Sequence, residues 1–262
     1  MDAAIVAGLG LVTGIMLGLT GAGGGVVAAP LLMLVLHLPL VQAAPISLLA
    51  VALGAGVAMT LGLREGVVRY RAALLMAAMG LLASPLGIAV SLSLPNGPLV
   101  AAFMGLLCYQ AWRQWYGRGD ALETVPPCTL DEQSGRFRWN RPCAFAMAGA
   151  GLLAGFLSGL LGVGGGFVLV PALRRHTPLP MHAITATSLM VLTLVSLGGV
   201  GVWLAHGGLN WSQAIPFAGG AVVGIYLGRL GSHRIADRLL HRAFAVMCLL
   251  AAVGLGVKAW LT

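Results

Sequence analysis

Charge is what this 262-residue chain has least of: 8% of its residues are Asp, Glu, Lys or Arg, against 59% apolar. A soluble domain carries about a quarter charged residues, so composition alone excludes one. The shortage is uneven. No Asp, Glu, Lys or Arg occurs at 3 to 63, 72 to 112, 142 to 173, 176 to 228 or 243 to 257. Because about 20 residues of helix already cross the hydrocarbon layer of a bilayer, most of these blocks hold more than one span. An integral membrane protein is expected.

Carboxylates are scarcer still. Asp2, Glu65, Asp120, Glu123, Asp131, Glu132 and Asp237 all fall in the polar stretches, so the spans carry no acidic proton relay or cation cage of the kind that marks proton pumps and cation carriers. Also absent are H-E-x-x-H, G-x-S-x-G and the Walker G-K-[ST]. The glycine clusters fail G-x-G-x-x-G because Val26 and Phe167 stand where its last glycine belongs, so neither a membrane protease nor a nucleotide-driven pump is supported. His37, His176, His182, His206, His233 and His241 lie near span ends and read as interfacial groups. No catalytic residue, metal or cofactor is assigned. Four cysteines are too few and too scattered for a disulfide scaffold; Cys108 and Cys248 sit inside apolar runs, and Cys128 and Cys143, which bracket the polar middle, read as packing residues or reduced cytoplasmic thiols.

What is present begins with basic residues, 15 Lys and Arg and a net charge of +8. They sit singly or in small groups at the ends of apolar runs. That is the positive-inside pattern, and it excludes nucleic acid as a partner. Met1-Asp2 leads straight into an apolar stretch without a basic n-region, which reads as a retained first span.

Setting residue i against residue i+141 aligns 8 to 48 with 149 to 189 without a gap and with 17 identities in 41 positions, where chance in such a composition gives roughly a tenth. Gly10, Gly14 and Gly18 match Gly151, Gly155 and Gly159. Gly21-Ala22-Gly23-Gly24-Gly25 matches Gly162-Val163-Gly164-Gly165-Gly166, and Pro30, Pro39 and Ser47 match Pro171, Pro180 and Ser188. The chain is a duplicated unit: a first repeat at 1 to 115, a polar linker at 116 to 141 with Pro126-Pro127, and a second repeat at 142 to 262.

Each repeat opens on an apolar run too long for one straight span and broken by the glycine cluster. The expected plan is a helix to about Thr20, a non-helical turn at Gly21 to Gly25 and a shorter helix from Val26 to Leu36, echoed at 144 to 161 and 167 to 173. Three further helices per repeat are expected near 42 to 62, 72 to 92 and 97 to 115, and near 182 to 203, 212 to 228 and 243 to 260. Equivalent junctions carry opposite charge. Arg64, Arg69 and Arg71 face a segment without Lys or Arg at 204 to 212, whereas Arg229, Arg234 and Arg238 answer a segment without them at 88 to 99. Parallel repeats would scatter these over both faces; inverted repeats put every Arg in the cytoplasm and leave Lys258 alone outside. The expected fold is an all-α polytopic membrane protein of two inverted-topology repeats, with 8 to 10 membrane segments and both termini extracytoplasmic.

The glycine turns carry the functional signal. Backbone that leaves the helix within a membrane is tolerated where it is buried in protein or lines a cavity. A turn that opens into a new helix presents free N–H groups and a positive helix end, which suits an anion, and inverted repeats bring two such turns together near the midplane. Gly10, Gly14, Gly18 and their partners, spaced small-xxx-small, read instead as helix packing. The polar side chains near the turns are Thr20, Gln42, Ser47, Ser158, Thr185, Thr187 and Ser188, of which the repeat preserves Ser47 and Ser188. The candidate substrate-binding set is Thr20, Gly21, Gly23, Gly24, Gly25, Ser47, Gly162, Gly164, Gly165, Gly166, Thr187 and Ser188.

The run G-L-T-G-A-G-G-G-x-x-x-x-P at 18 to 30, its echo G-L-L-G-V-G-G-G-x-x-x-x-P at 159 to 171 and A-T-S-L at 186 to 189 resemble the TauE/SafE sulfite exporter family, also called TSUP. The resemblance spans both halves. It implies an inner-membrane transporter of small sulfur-containing anions such as sulfite, sulfoacetate or related organosulfonates, with the bilayer as its environment and its oligomeric state left open. Pro45-Ile46-Ser47 departs from Ala186-Thr187-Ser188 by one hydroxyl, so the two halves of the site are not equivalent. An interior-negative membrane favours anion export by about 2.3 kcal/mol per charge per 100 mV. A membrane-embedded accessory subunit, or a redox or enzyme subunit without transport activity, is the alternative; the enzyme would need paired ionisable groups within the spans, and the accessory subunit has no use for two unwound turns.

Overall fold

The computed structural model describes residues 3–20, 24–116, 128–130, 137–138, 140–232 and 237–261. They form α1 (Ala3–Thr20), a 3-10 turn at Gly24–Val27 leading into α2 (Ala28–Val35), α3 (Leu40–Arg64), α4 (Tyr70–Ser93), α5 (Asn96–Tyr116), α6 (Arg141–Leu161), α7 (Gly166–His176), α8 (Met181–Ala205), α9 (Trp211–Ser232) and α10 (Asp237–Leu261). A two-residue antiparallel ladder, β1 (Thr129–Leu130) with β2 (Phe137–Arg138), lies between α5 and α6. Among the described residues, five helices, α1, α3, α4, α6 and α8, are long and apolar enough to cross a membrane, and the protein is a multi-pass helical membrane protein. At 1.5 Å per residue, the 25 residues of α3 span about 37 Å.

The 141-residue step seen in the sequence recurs in the elements: it carries Leu40 to Met181 and Arg64 to Ala205, the ends of α3 and α8, and the first residues of α4 and α5 to those of α9 and α10. Some boundaries differ from expectation. Helix α10 starts at Asp237, ahead of the expected 243, and α7 continues through Arg174, Arg175 and His176. Charged residues interrupt the apolar pattern without interrupting a helix that emerges from the hydrocarbon, since long basic side chains reach the interface.

Glycine decides how the helices meet. A β-carbon on Gly10, Gly14 or Gly18 would run into the backbone of α9 at Phe217, Ala221 and Ile225, and one on Gly220, Gly224 or Gly228 into α1 at Ala7, Leu11 and Ile15. In the same way Gly151, Gly155 and Gly159 of α6 lie on Met76, Gly80 and Ser84 of α4. Both seams have the small-xxx-small packing read from the sequence, with backbones closer than any side chain allows. The register also gives direction: numbers rise together in α1 with α9 and in α4 with α6, so each pair is parallel. Helices α3 and α8 are antiparallel, for Gly62 meets Ala186, Gly56 meets Thr193 and Leu48 meets Gly199. The first turn of α5 lies against the last turn of α10, where Asn96, Gly97 and Val100 share a cavity wall with Leu255 and Lys258.

These directions sort the junctions onto two ends. At one end, the Arg229 guanidinium donates to the Ala58 carbonyl at 2.7 Å and lies 3.6 Å from the Glu65 carboxylate, joining the C-terminal ends of α3 and α9. At the same end, the Arg69 backbone N–H donates to Thr187 Oγ1 at 3.1 Å, at the start of α8.

The cysteine reading is corrected. Cys128 and Cys143 form a disulfide, and both are buried. Cys128 N–H also donates to the His176 carbonyl at 3.2 Å, so the chain before α6 is clipped to the end of α7. The two cysteines stand 15 positions apart in the chain, and the antiparallel pairing of β1 with β2 between them shortens that distance.

Candidate functional site

The two glycine turns meet. A β-carbon on Gly25 would stand 3.0 Å from the Val163 carbonyl oxygen and 3.0 Å from Val51 of α3. The second turn takes its shape from left-handed glycines: Gly162, Gly164 and Gly165 have φ of 71°, 77° and 73°, a region costly for any residue with a β-carbon. Gly162 closes α6 through its N–H to the Ser158 carbonyl, 2.9 Å, and Gly165 precedes α7. Gly166 and Phe167 are the first two residues of α7, so their N–H groups have no acceptor within the helix and point its positive end back at the turn.

The turn is wedged between the antiparallel α3 and α8. Gly162 presses on Ala44, and a β-carbon on Gly164 would lie 2.8 Å from Val51, 3.2 Å from Leu192 and 3.3 Å from the Ser196 hydroxyl. Residues 161 to 167 are all buried in this conformation. Val51 and Leu192 occupy the middle turns of α3 and α8, so the broken backbone sits near the centre of the helix stack.

The expected site residues divide. Ser47 Oγ donates to the Gly162 carbonyl at 2.6 Å, with the Ala44 carbonyl of its own helix at 2.9 Å. Its hydroxyl therefore holds the turn. Its repeat partner Ser188 is buried with no hydrogen-bond partner for Oγ. Thr187 accepts from the Arg69 backbone at the arginine-bearing end, and Thr20 Oγ1 donates to the Met16 carbonyl of its own helix at 2.7 Å. Gly24 and Gly25 begin the 3-10 turn. Gly21 and Gly23 lie outside the described residues. Gln42 is exposed and Thr185 half-buried.

Four further hydroxyls, those of Ser84, Ser91, Ser158 and Ser196, are buried without a hydrogen-bond partner. Ser196 faces Gly164, as described, and Ser84 Oγ lies 3.4 Å from the place a β-carbon of Gly199 would take. Ser158 is one residue before Gly159, which packs on the Ser84 backbone. A buried hydroxyl left unpaired costs about 1 to 3 kcal/mol, so a cluster of them beside an unwound turn is the polar chemistry the core leaves open. Ser84 and Ser196 were not in the expected set because the repeat replaces them by Ile225 and Ala55.

The family model of the sulfite exporter TauE/SafE matches residues 6–255. This chain belongs to the TauE/SafE family, a membrane transporter family. It is 28% identical over 259 residues to a "Probable membrane transporter protein" of Xylella fastidiosa strain Temecula1, covering 98% of this chain and 95% of that one. It is also similar to the probable membrane transporter protein YunE of Bacillus subtilis, 30% identical over 98 residues, covering 37% of this chain and 36% of that one. With MJ0441 of Methanocaldococcus jannaschii, another probable membrane transporter protein, it shares 44% identity over 50 residues, covering 19% of this chain and 18% of that one. No solved structure matches the chain.

Proposed function

We propose that this TauE/SafE protein carries small sulfur oxyanions or organosulfonates across the bacterial inner membrane by alternating access around the two glycine turns. The observation that carries the reading is the contact of Gly25 with the 162–166 turn, beside the unpartnered hydroxyls of Ser84, Ser158 and Ser196. Neutral O–H donors, free N–H groups and a helix N-terminus stabilise an oxyanion without a formal counter-charge. They bind it weakly enough to release it.

The two repeats form an inverted pair of 8 to 10 membrane segments, bounded at 1 to 115 and 142 to 262 with a linker at 116 to 141. The antiparallel seams α3 with α8 and α5 with α10 support this, since repeats related by an axis along the membrane normal would set equivalent helices parallel. The end that gathers Arg64, Arg69, Arg71 and Arg229 is cytoplasmic, and both termini are extracytoplasmic. With the interior negative, the carrier exports its anion without a coupling ion.

Flux of isotopically labelled sulfite, sulfoacetate and methanesulfonate into and out of proteoliposomes tests the reading. Saturable flux of at least one of the three, driven by an imposed potential, is expected. Protein that reconstitutes folded and moves none of them would overturn it.

A further inference from the structure

Two three-helix junctions in this fold are copies of one another. A β-carbon on Gly18 of α1 would run into the Ile225 carbonyl of α9, and one on Gly159 of α6 into the Ser84 carbonyl of α4. Gly14 meets Ala221 as Gly155 meets Gly80, and the members of each correspondence stand 141 positions apart. The third helix is α3 in one junction and α8 in the other. A β-carbon on Gly54 of α3 would meet Ile225 Cδ1 and lie 3.8 Å from Leu17 Cδ2. Val195 of α8, the repeat partner of Gly54, has its Cγ2 2.7 Å from the place a β-carbon of Gly80 would take.

The junctions differ in what fills them. In the first, Leu17, Ala55 and Ile225 are buried in one apolar cluster, and the two long side chains close over Gly54. In the second, the same positions hold Ser158, Ser196 and Ser84. These are 0%, 0% and 1% exposed, and none of their hydroxyls has a hydrogen-bond partner. Val195 takes up part of the room that the shorter side chains leave. Each buried, unpaired hydroxyl lowers stability, and the apolar copy shows that this backbone arrangement does not require them. Ser196 Oγ also lies 3.3 Å from the place a β-carbon of Gly164 would take, so the polar junction adjoins the second glycine turn.

We propose that the junction of α4, α6 and α8 binds one sulfonate or sulfite group through the hydroxyls of Ser84, Ser158 and Ser196, and that the junction of α1, α3 and α9 is an apolar plug that binds no second anion. The identity of the anion rests on the carrier reading; the single, one-sided site goes beyond it. A sulfonate or sulfite group offers three oxygens to three O–H donors, in hydrogen bonds strengthened by the anion's charge. A carboxylate offers two oxygens and leaves one donor poorly paired. Specificity for the three-oxygen group over a carboxylate then comes from neutral side chains that only one copy of the junction carries.

Calorimetric titration of the full chain in detergent, with methanesulfonate and acetate as N-methylglucamine salts, tests the site. One methanesulfonate per chain is expected, held at least about tenfold more tightly than acetate. The variant Ser84→Ile/Ser158→Leu/Val195→Gly/Ser196→Ala gives the second junction the side chains of the first. Its affinity for methanesulfonate should fall about a hundredfold, while its melting temperature holds or rises, because the other half of the same fold already packs those residues. Should that variant not fold, Ser84→Ala/Ser158→Ala/Ser196→Ala removes the donors without adding bulk, and it should lose both the affinity and the preference over acetate. Equal affinity for acetate in the parent, two methanesulfonates per chain, or unchanged affinity in the triple-alanine variant overturns the proposal. So does a response to replacing N-methylglucamine by sodium with none to methanesulfonate, which gives the hydroxyl lone pairs to a cation. Methanesulfonate flux in proteoliposomes separates the two readings. Parent flux with unchanged affinity in the triple-alanine variant removes the site and keeps the carrier; selective binding without flux does the reverse.

Discussion

Ser47 of the first repeat donates its hydroxyl hydrogen to the carbonyl of Gly162 in the second, at 2.6 Å. Both groups are buried, and the bond joins α3 to the left-handed turn that ends α6. Its repeat partner Ser188 has a buried hydroxyl with no such partner. One serine of the duplicated pair is spent on the backbone and the other has no partner, so the two hydroxyls are not equivalent although the fold repeats.

This asymmetry makes the two serines separable by mutation. Ser47→Ala leaves the Gly162 carbonyl short of its buried donor and should lower stability by about 1 to 3 kcal/mol, read as a fall in melting temperature in detergent. Ser188→Ala removes an unpaired hydroxyl, so its melting temperature should hold or rise while anion affinity falls by about 0.5 to 3 kcal/mol. Calorimetric titration beside thermal unfolding checks both. Equal behaviour of the two variants would mean that the hydroxyls share one role.

Transport should depend on the second glycine turn more than on any ionisable side chain. Gly164→Ala sets a methyl group 2.8 Å from Val51 and 3.3 Å from Ser196 Oγ, at φ of 77°. The left-handed backbone costs an alanine about 1 to 2 kcal/mol, and the methyl fills the space beside the hydroxyls. Flux should fall to background with folded protein still in the membrane. Gly24→Val and Gly165→Val should also abolish flux. The control is Gly56→Ala, whose β-carbon would meet the Thr193 methyl at an ordinary 3.5 Å; flux there should stay normal.

Much of this architecture was legible because it is local or duplicated. Gly10, Gly14 and Gly18 repeat at helical spacing, so a close seam followed from their spacing before α9 was known to fill it. The 141-residue step located α3 and α8 because both copies kept their flanking prolines, Pro39 and Pro180. Ser84 and Ser196 escaped for the opposite reason: comparison of the repeats rewards identity, and their partners are Ile225 and Ala55. The Cys128 to Cys143 pairing was illegible because it depends on how the polar segment doubles back, which no periodicity in that segment announces.

That disulfide bears on topology. It lies at the arginine-bearing end, beside His176 and the start of α6, and cytoplasmic cysteines are kept reduced. The proposed topology rests on the arginine distribution, and the disulfide tests it. The proposed cytoplasmic placement of that end predicts that cellular reductants open the Cys128–Cys143 bond seen in the structure to two thiols, and that a cysteine placed in the linker is shielded from impermeant maleimide outside. Alkylation before lysis, followed by mass measurement, reads the first. A disulfide already formed in cells, with a linker cysteine labelled from outside, would reverse the assigned orientation.

Ser84 and Ser196 supply the most discriminating test. If these hydroxyls serve only the fold, replacing them should either destabilise the protein or do nothing. If they serve the anion, the double variant Ser84→Ala/Ser196→Ala should unfold at an equal or higher temperature, because two unpaired buried groups are removed, yet bind substrate at least about tenfold more weakly. A site of neutral donors also has a pH signature. Affinity for methanesulfonate, a monoanion throughout, should stay flat across the neutral range, while affinity for sulfite should follow the bisulfite-to-sulfite step of the ligand. Calorimetry with both ligands, on wild type and on the double variant, yields the two results together. A steep pH dependence for methanesulfonate would place a titrating protein group in the site, and unchanged affinity in the double variant would move the site away from the 162–166 turn.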